Sequence, residues 1–108
     1  MINFKPVDTA ENSAGYAAFD EAGNELGKCA FSYNTLEMKF TSISGNDESV
    51  VEGLARSAMN YCANRGVYLA TVTAGMLSPA FIKLGFSADE LTREIPEVLT
   101  STCCGCGS

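Results

Sequence analysis

The chain has 108 residues, which predicts one compact domain of roughly the usual 100 to 150 residues rather than a multidomain enzyme. Hydrophobic residues make up 46% and charged residues 19%, a composition typical of a globular fold. Thirteen acidic against seven basic residues give a net charge of −6, which would repel a phosphate backbone, so no nucleic acid partner is expected. The absence of histidine excludes a Ser/His/Asp triad and every His-ligated metal site.

The sequence also bears on location. No apolar run approaches the roughly 20 residues that span a bilayer, and the first residues lack the charged and apolar regions of a signal peptide. The five cysteines are an odd number, and three of them lie in the last six residues. We therefore expect a cytoplasmic protein with reduced thiols and no membrane partner.

The first half of the chain predicts antiparallel strands. The segment from Asn3 to Ser13 is interpreted as a short edge strand followed by an irregular connection. A two-fold pattern from Tyr16 to Phe19, a turn over residues 20–24 and a second run through Cys29 to Tyr33 then predict a hairpin. After it, apolar Leu36, Met38 and Phe40 alternate with polar residues, which predicts a third strand that ends near Ile43.

Helical signals begin in the middle of the chain. Residues 44–49 carry short oxygen-bearing and acidic side chains, which favour a helix start. Apolar residues then recur at three- and four-residue steps from Val50 to Cys62, and Gly66 closes the helix. The β-branched run from Val67 to Thr73 predicts a strand parallel to the third one. A short helix opens at Ser78-Pro79 and ends at Gly85. A last strand is expected over part of residues 86–95, although residues 88–93 also fit a helix.

The last nine residues, 100–108, differ from everything before them. Cys103, Cys104 and Cys106 place three thiols within four residues, and the intervening glycine permits the tight turn that would aim them at one soft cation such as Cu(I) or Zn(II). A closed zinc site needs a fourth ligand, which Cys29, Cys62, a second chain or water could supply. The alternative is a tail whose thiols bind nothing specific, and a third option is thiol redox chemistry.

The order hairpin, strand, long helix, strand, short helix, strand, with the second helix ending in Phe81-Ile82-Lys83-Leu84-Gly85-Phe86, resembles the GNAT superfamily of N-acetyltransferases. The similarity runs from about Tyr16 to Ser87. It implies an α/β (α+β) fold: a mixed, mainly antiparallel sheet with one long and one short helix. It also implies acyl transfer from acetyl-CoA to an unknown small-molecule or peptide amine.

The resemblance further implies site residues. Family members bind the pantetheine arm of coenzyme A through backbone groups that correspond to Ile43 and Ser44. Their pyrophosphate motif, Arg/Gln-x-x-Gly-x-Gly/Ala, falls on Asn46, Ser49 and Val51, and every position departs from it. The same comparison places Phe81 where many members carry a proton-donating tyrosine.

A catalytic carboxylate on the third strand would correspond to Glu37, and the alternative interpretation of Glu37 is an ordinary surface residue of an alternating strand. The sequence therefore predicts one GNAT-like domain over residues 1–99 and a cysteine-rich tail over residues 100–108. Its predicted function is GNAT-like N-acetyl transfer that is weak or inactive. The alternative is a non-enzymatic binding protein with a vestigial coenzyme A cleft and a tail that binds metal or a partner. Because family members cover the sheet with two further helices, a homodimer that hides exposed apolar area is also expected.

Overall fold

The computed structural model describes residues 2–10 and 13–99, with the side chains of residues 8–10 omitted, so Cys103, Cys104 and Cys106 lie outside the described residues. One mixed sheet organises these residues in the order β1-β2-β3-β4-β5-β6, and two helices pack on it. The strands are β1 (Asn3–Ala10), β2 (Ser13–Phe19), β3 (Glu25–Tyr33), β4 (Glu37–Gly45), β5 (Leu69–Thr71) and β6 (Thr92–Glu94), and the helices are α1 (Glu48–Ala63) and α2 (Pro79–Lys83). This is the predicted fold class: the sheet is antiparallel except for the parallel pair β4 and β5.

Turn chemistry sets the register of β2, β3 and β4. The Asp20 carboxylate accepts hydrogen bonds from the backbone N–H groups of Ala22 and Asn24, each at 2.9 Å, which closes the β2–β3 hairpin where the sequence predicts it. The Asn34 side chain likewise accepts from the N–H groups of Leu36 and Glu37 before β4 begins. Leu36 therefore belongs to this turn, and its 57% exposure corrects its assignment to the apolar face of the third strand.

The core lies between one face of the sheet and the helices. Leu54, Ala58 and Cys62 of α1 are fully buried, as the helical periodicity predicts. From the strands, Phe31, Met38 and Phe40 pack into the same cluster. The two helices are joined by a hydrogen bond from the Ala80 N–H to the Glu48 carboxylate and by an ion pair between Lys83 and Glu52. We call this side of the sheet the helix face.

The end of the described chain contains the predicted last strand, but the strand before it is shorter than predicted. The β5 strand covers only Leu69–Thr71 of the predicted run, and β6 covers Thr92–Glu94 and pairs antiparallel with it. A helical turn over residues 95–99 follows directly, with Pro96 in its first turn, where a missing N–H costs nothing. Ile95 and Val98 of this turn are buried in the core. In the part of the chain that the structure describes, no helix is long and apolar enough to cross a membrane.

The opposite side of the sheet, which we call the open face, carries no helix among the described residues. Its side chains alternate with those of the helix face, and the cross-strand register places Lys5, Ala17, Lys28 and Ser44 in one row. The large apolar side chains with high exposure among the described residues are Leu36, Tyr68 and Ile82. The homodimer stays a prediction.

Candidate functional site

The separation of β4 from β5 creates the main irregularity of the sheet. The two parallel strands pair only from Glu37 opposite Leu69 to Lys39 opposite Thr71. Beyond that point β5 ends, whereas β4 continues to Gly45 with β3 on its other side. One edge of β4 from Phe40 to Gly45 therefore has no strand partner among the described residues. A backbone edge of this kind offers N–H and C=O groups to an extended ligand.

A β-bulge shapes β4 at the start of this edge. Ala30 pairs with Ser42 but Phe31 pairs with Phe40, so β4 has one extra residue at Thr41. As a result Phe40 and Ile43, three residues apart, both face the core, and Ile43 is half-buried there. The alternation of apolar and polar residues predicts the strand but not the bulge, because the bulge shifts the pattern only after Phe40.

Glu37 lies at the other end of the paired segment. Its carboxylate accepts a hydrogen bond from the Thr71 hydroxyl, and the Thr71 and Thr92 hydroxyl oxygens are 2.7 Å apart. Glu37 is half-buried and is thus more than a solvated surface carboxylate. The two threonines, from β5 and β6, are members of this group that the sequence analysis did not identify, because only the sheet topology brings the three strands together.

The start of α1 lies where β4 ends. Asp47 is the N-cap: its carboxylate accepts hydrogen bonds from the Val50 N–H at 3.0 Å and from the Ser49 hydroxyl at 2.6 Å. These contacts hold the pKa of Asp47 below its ordinary value, the bond from Ser49 being the stronger cause. Ser44 and Asn46 are exposed beside it. The helix end that would attract an anion therefore already carries a carboxylate from its own chain.

The positions of Glu48 and Val51 also disfavour a pyrophosphate at the start of α1. The Glu48 carboxylate accepts a hydrogen bond from Ala80 at the start of α2, so it too stays close to the α1 terminus. Val51 lies in the core cluster at 9% exposure, and its N–H bonds to the Asp47 carbonyl. The Val51 N–H is thus committed to the helix, and the Ser49 hydroxyl is bonded to Asp47, which does not fit the open cradle that glycines would provide. The unpaired edge of β4, by contrast, fits a pantetheine arm.

Phe81 occupies the core rather than a cleft. It is fully buried and makes edge-to-face contacts with Phe40 and Phe86, at centroid distances of 5.4 Å and 5.7 Å. A hydroxyl added to this ring would therefore be buried among aromatic side chains.

The described residues contain no cluster of side chains that could ligate a metal ion. Among residues 2–10 and 13–99, no group of three or more potential ligand side chains comes together. Cys29 and Cys62 are buried, and burial raises the pKa of Cys29 to about 11 and that of Cys62 to about 12. Both therefore behave as buried apolar residues.

Comparison with known proteins identifies the fold. No family model matches the chain, and no curated protein matches it in sequence. Among solved structures, nourseothricin acetyltransferase superposes with a TM-score of 0.60 at 20% identity, over 70% of this chain and 51% of its own. An aminoglycoside 6'-N-acetyltransferase from Enterococcus faecium gives 0.60 at 12% identity, over 80% of this chain and 74% of its own. A GNAT-family N-acetyltransferase from Escherichia coli, solved with CoA, superposes with a TM-score of 0.60 at 13% identity, over 79% of this chain and 61% of its own.

The chain has the GNAT fold. At these identities the likeness establishes architecture alone, and the chain spans about half the length of nourseothricin acetyltransferase. Within this fold, β4 and β5 pair only over Glu37–Lys39 and Leu69–Thr71, which leaves the rest of β4 without a strand partner on that side among the described residues. The residues Glu37, Ile43, Ser44 and Asn46 all lie on β4 or directly after it.

Proposed function

We propose that the protein transfers an acyl group from acetyl-CoA to an amine, with weak binding of the nucleotide part of the cofactor. The observation that carries the proposal is the coincidence of an unpaired β4 edge with a hydrogen-bonded carboxylate, Glu37, on the same strand of a GNAT fold. Acetyl-CoA would supply the activated thioester. The N–H and C=O groups around Ile43 and Ser44 would hold its extended arm, and Asn46 would border the nucleotide.

Glu37 is proposed to accept the proton that the amine loses as its nitrogen forms the new C–N bond. The C–S bond of the thioester would break in the same transfer, and coenzyme A would leave as a thiolate that takes its proton from solvent. A carboxylate suits this role because it accepts a proton when ionised and can be positioned by neighbouring donors. The Thr71 hydroxyl fixes one carboxylate oxygen, and the other oxygen, for which the described residues give no hydrogen-bond partner, is the one proposed to face an amine. Neither Ser49 nor Val51 is proposed to contact the cofactor through its side chain, since the one bonds to Asp47 and the other is buried.

Glu37→Gln tests this role, because it preserves the shape and the hydrogen bond from Thr71 while removing the base. We expect kcat for an amine acceptor to fall by about 10²-fold or more. Glu25→Gln, at an exposed carboxylate at the start of β3, is the matched control. Acetyl-CoA consumption should be followed chromatographically, since the protein's own thiols react with thiol reagents. Equal rates for the Glu37 and Glu25 variants would reject the catalytic role.

A second function is favoured by the same site. Asp47 and Glu48 occupy the start of α1, and Phe81 offers no proton, which together favour a binding protein with a vestigial cleft. The test is to assay acetylation of a panel of amines by the folded protein. Rates no faster than the uncatalysed reaction would support the binding function over acetyl transfer. The amine itself is proposed to belong to a small molecule or a peptide.

The cysteine-rich tail is a separate proposal. Cys103, Cys104 and Cys106 are proposed to bind Cu(I) or Zn(II) in the cytoplasm, where thiols stay reduced. Deleting residues 102–108 should abolish stoichiometric metal uptake and leave the melting temperature of the domain unchanged. Metal retained by the truncated protein would contradict the assignment.

A further inference from the structure

The open face of the sheet concentrates positive charge on an acidic protein. Lys5, Lys28 and Lys39 all alternate with residues of the helix face, so their side chains lie on the open face. Each is exposed. The chain as a whole has a net charge of −6. Three of its seven Lys and Arg residues therefore lie on the one surface that no described helix covers.

The remaining basic residues are engaged elsewhere. Arg56 and Lys83 pair with Glu52 on the helix face, and Arg93 pairs with Glu90 and Glu97. Arg65 stacks on the ring of Tyr61, with its guanidinium carbon 3.6 Å from the ring centre.

By contrast, in the ranges that the structure describes, Lys5, Lys28 and Lys39 form no ion pair with a carboxylate. Their charges are available to a partner.

The spacing of these lysines defines a surface that is larger than a single-ion site. Lys5 and Lys28 lie in one cross-strand row on either side of Ala17, which places their strands about 10 Å apart. Lys39 pairs with Ser32, four residues along β3 from Lys28, or about 13 Å. A single phosphate or carboxylate cannot contact all three ammonium groups, whereas an extended chain with several carboxylates can.

A trough lies between the lysines. Its volume is about 430 Å³, and Val7, Gly15, Lys28, Ala30, Ser32 and Ser42 line it. Val7, Gly15, Ala30 and Ser42 form one cross-strand row, so the floor crosses four strands. A Cβ at Gly15 would lie 2.6 Å from the Cys29 carbonyl oxygen, so the backbone there admits no larger residue. The floor is partly apolar, and positive charge flanks it at Lys28 on one side and Lys39 on the other.

We propose that the open face docks an acidic peptide segment of a partner protein, whose carboxylates meet Lys5, Lys28 and Lys39 while small apolar side chains fill the trough. This inference does not depend on acetyl transfer. A peptide is favoured over a nucleic acid because three lysines neutralise only a small part of a regular phosphate backbone, whereas a peptide can match its few carboxylates to the lysines and place apolar side chains in the trough between them. Acidic residues limit the surface at its ends: Glu37 beyond Lys39, and Asp20 and Glu21 near Lys5.

The test is a fluorescence-anisotropy titration of the full chain with a labelled peptide of alternating glutamate and valine, at low and at physiological salt. Wild-type protein should bind it, and affinity should fall as salt rises. The double variant K28Q/K39Q should bind about tenfold more weakly, since it removes two exposed charge contacts. The control K83Q removes one positive charge from the helix face and should bind as wild type does.

A steric variant separates docking from general charge attraction. Ala30→Leu fills the trough without changing the charge of the surface. This variant should bind the acidic peptide more weakly than the wild type does, while circular dichroism shows an intact fold. No binding by the wild type, or equal binding by K28Q/K39Q and K83Q, would overturn the proposal. A duplex oligonucleotide that binds as tightly as the peptide would overturn the choice of partner. So would light scattering that shows a dimer lost in K28Q/K39Q, because the occupant would then be a second copy.

Discussion

The contact between β1 and α1 gives a quantitative test of the fold. Gly53 lies inside α1, and a Cβ built there would be 2.2 Å from Cζ of Phe4 and 2.7 Å from its Cε1. Ordinary carbon–carbon contacts are about 3.5 to 4.0 Å, so Gly53→Ala requires the Phe4 ring to move. Because Phe4 is half-buried on an edge strand, the ring can leave by giving up its packing on the helix.

Two opposing terms set the expected change in the free energy of unfolding. Alanine is better than glycine inside a helix by about 0.8 to 1.0 kcal/mol. Displacing the ring costs about 1 to 2 kcal/mol, at the lower end of overpacking costs, since the strand is at the edge. Gly53→Ala should therefore lower the unfolding free energy by up to about 1 kcal/mol in the wild type. In a Phe4→Ala background it should instead raise the unfolding free energy by about 1 kcal/mol.

Urea denaturation of the four proteins in this double-mutant cycle measures the difference. The expected interaction energy between positions 4 and 53 is about 1 to 2 kcal/mol. If Gly53→Ala stabilises both backgrounds equally, the Phe4 ring does not pack on α1 and the position of β1 is wrong. The result also concerns the open face, because Lys5 follows Phe4 and points to the other side of the sheet.

Three further predictions concern the core. Leu54→Ala should lower the unfolding free energy by about 2 to 5 kcal/mol, whereas exposed Asn60→Ala should change it by no more than about 0.5 kcal/mol; equal denaturation midpoints would contradict the assigned helix face. Phe81→Tyr should cost about 1 to 3 kcal/mol, because it buries a hydroxyl among rings, and should not accelerate acetyl transfer; a faster rate would show that position 81 reaches the site. Burial raises the pKa of Cys29 to about 11 and that of Cys62 to about 12, from 9.0, so both thiols stabilise the fold below pH 9 and this contribution is lost as pH rises towards 11 and 12. The loss measured by denaturation from pH 9 to 11 should be smaller in Cys29→Ala, and an unchanged slope would contradict the burial of this thiol.

Local patterns in the sequence were sufficient for most of the fold. The hairpin around Asp20, the α1 helix with its cap near Asp47 and the Gly85 end of the second helix all follow from signals within a few residues. The length of β5 was overestimated, because β-branched residues from Val67 to Thr73 favour a strand whether or not a neighbour is present to pair with it. The sequence does not reveal that β5 has no partner strand on the β4 side after Thr71, because that depends on where β4 lies in the folded sheet.

The candidate site was predictable only in part. The resemblance placed Glu37 on the third strand, but its contact with Thr71 depends on two strands more than thirty residues apart in sequence. Asp47 and Glu48 were recognisable as acidic residues at a helix start. The hydrogen bonds that their carboxylates accept from the N–H groups of Val50 and Ala80 follow only from the packed structure. These bonds hold the two carboxylates at the helix end, where an anion would otherwise bind.

The central claim is that the β4 edge accepts the arm of acetyl-CoA while the start of α1 resists its phosphates. The most direct measurement is a titration of 15N-labelled protein with acetyl-CoA, followed by amide shifts, for the wild type and for Asp47→Asn. Asparagine caps a helix as well as aspartate does but carries no charge, so the variant isolates the carboxylate's effect on anions.

The account predicts shifts confined to residues 40–48, a wild-type dissociation constant near 1 mM, equivalent to about −4 kcal/mol, and tighter binding by Asp47→Asn. A wild-type dissociation constant of about 1 μM or below, or shifts that avoid the β4 edge, would contradict it.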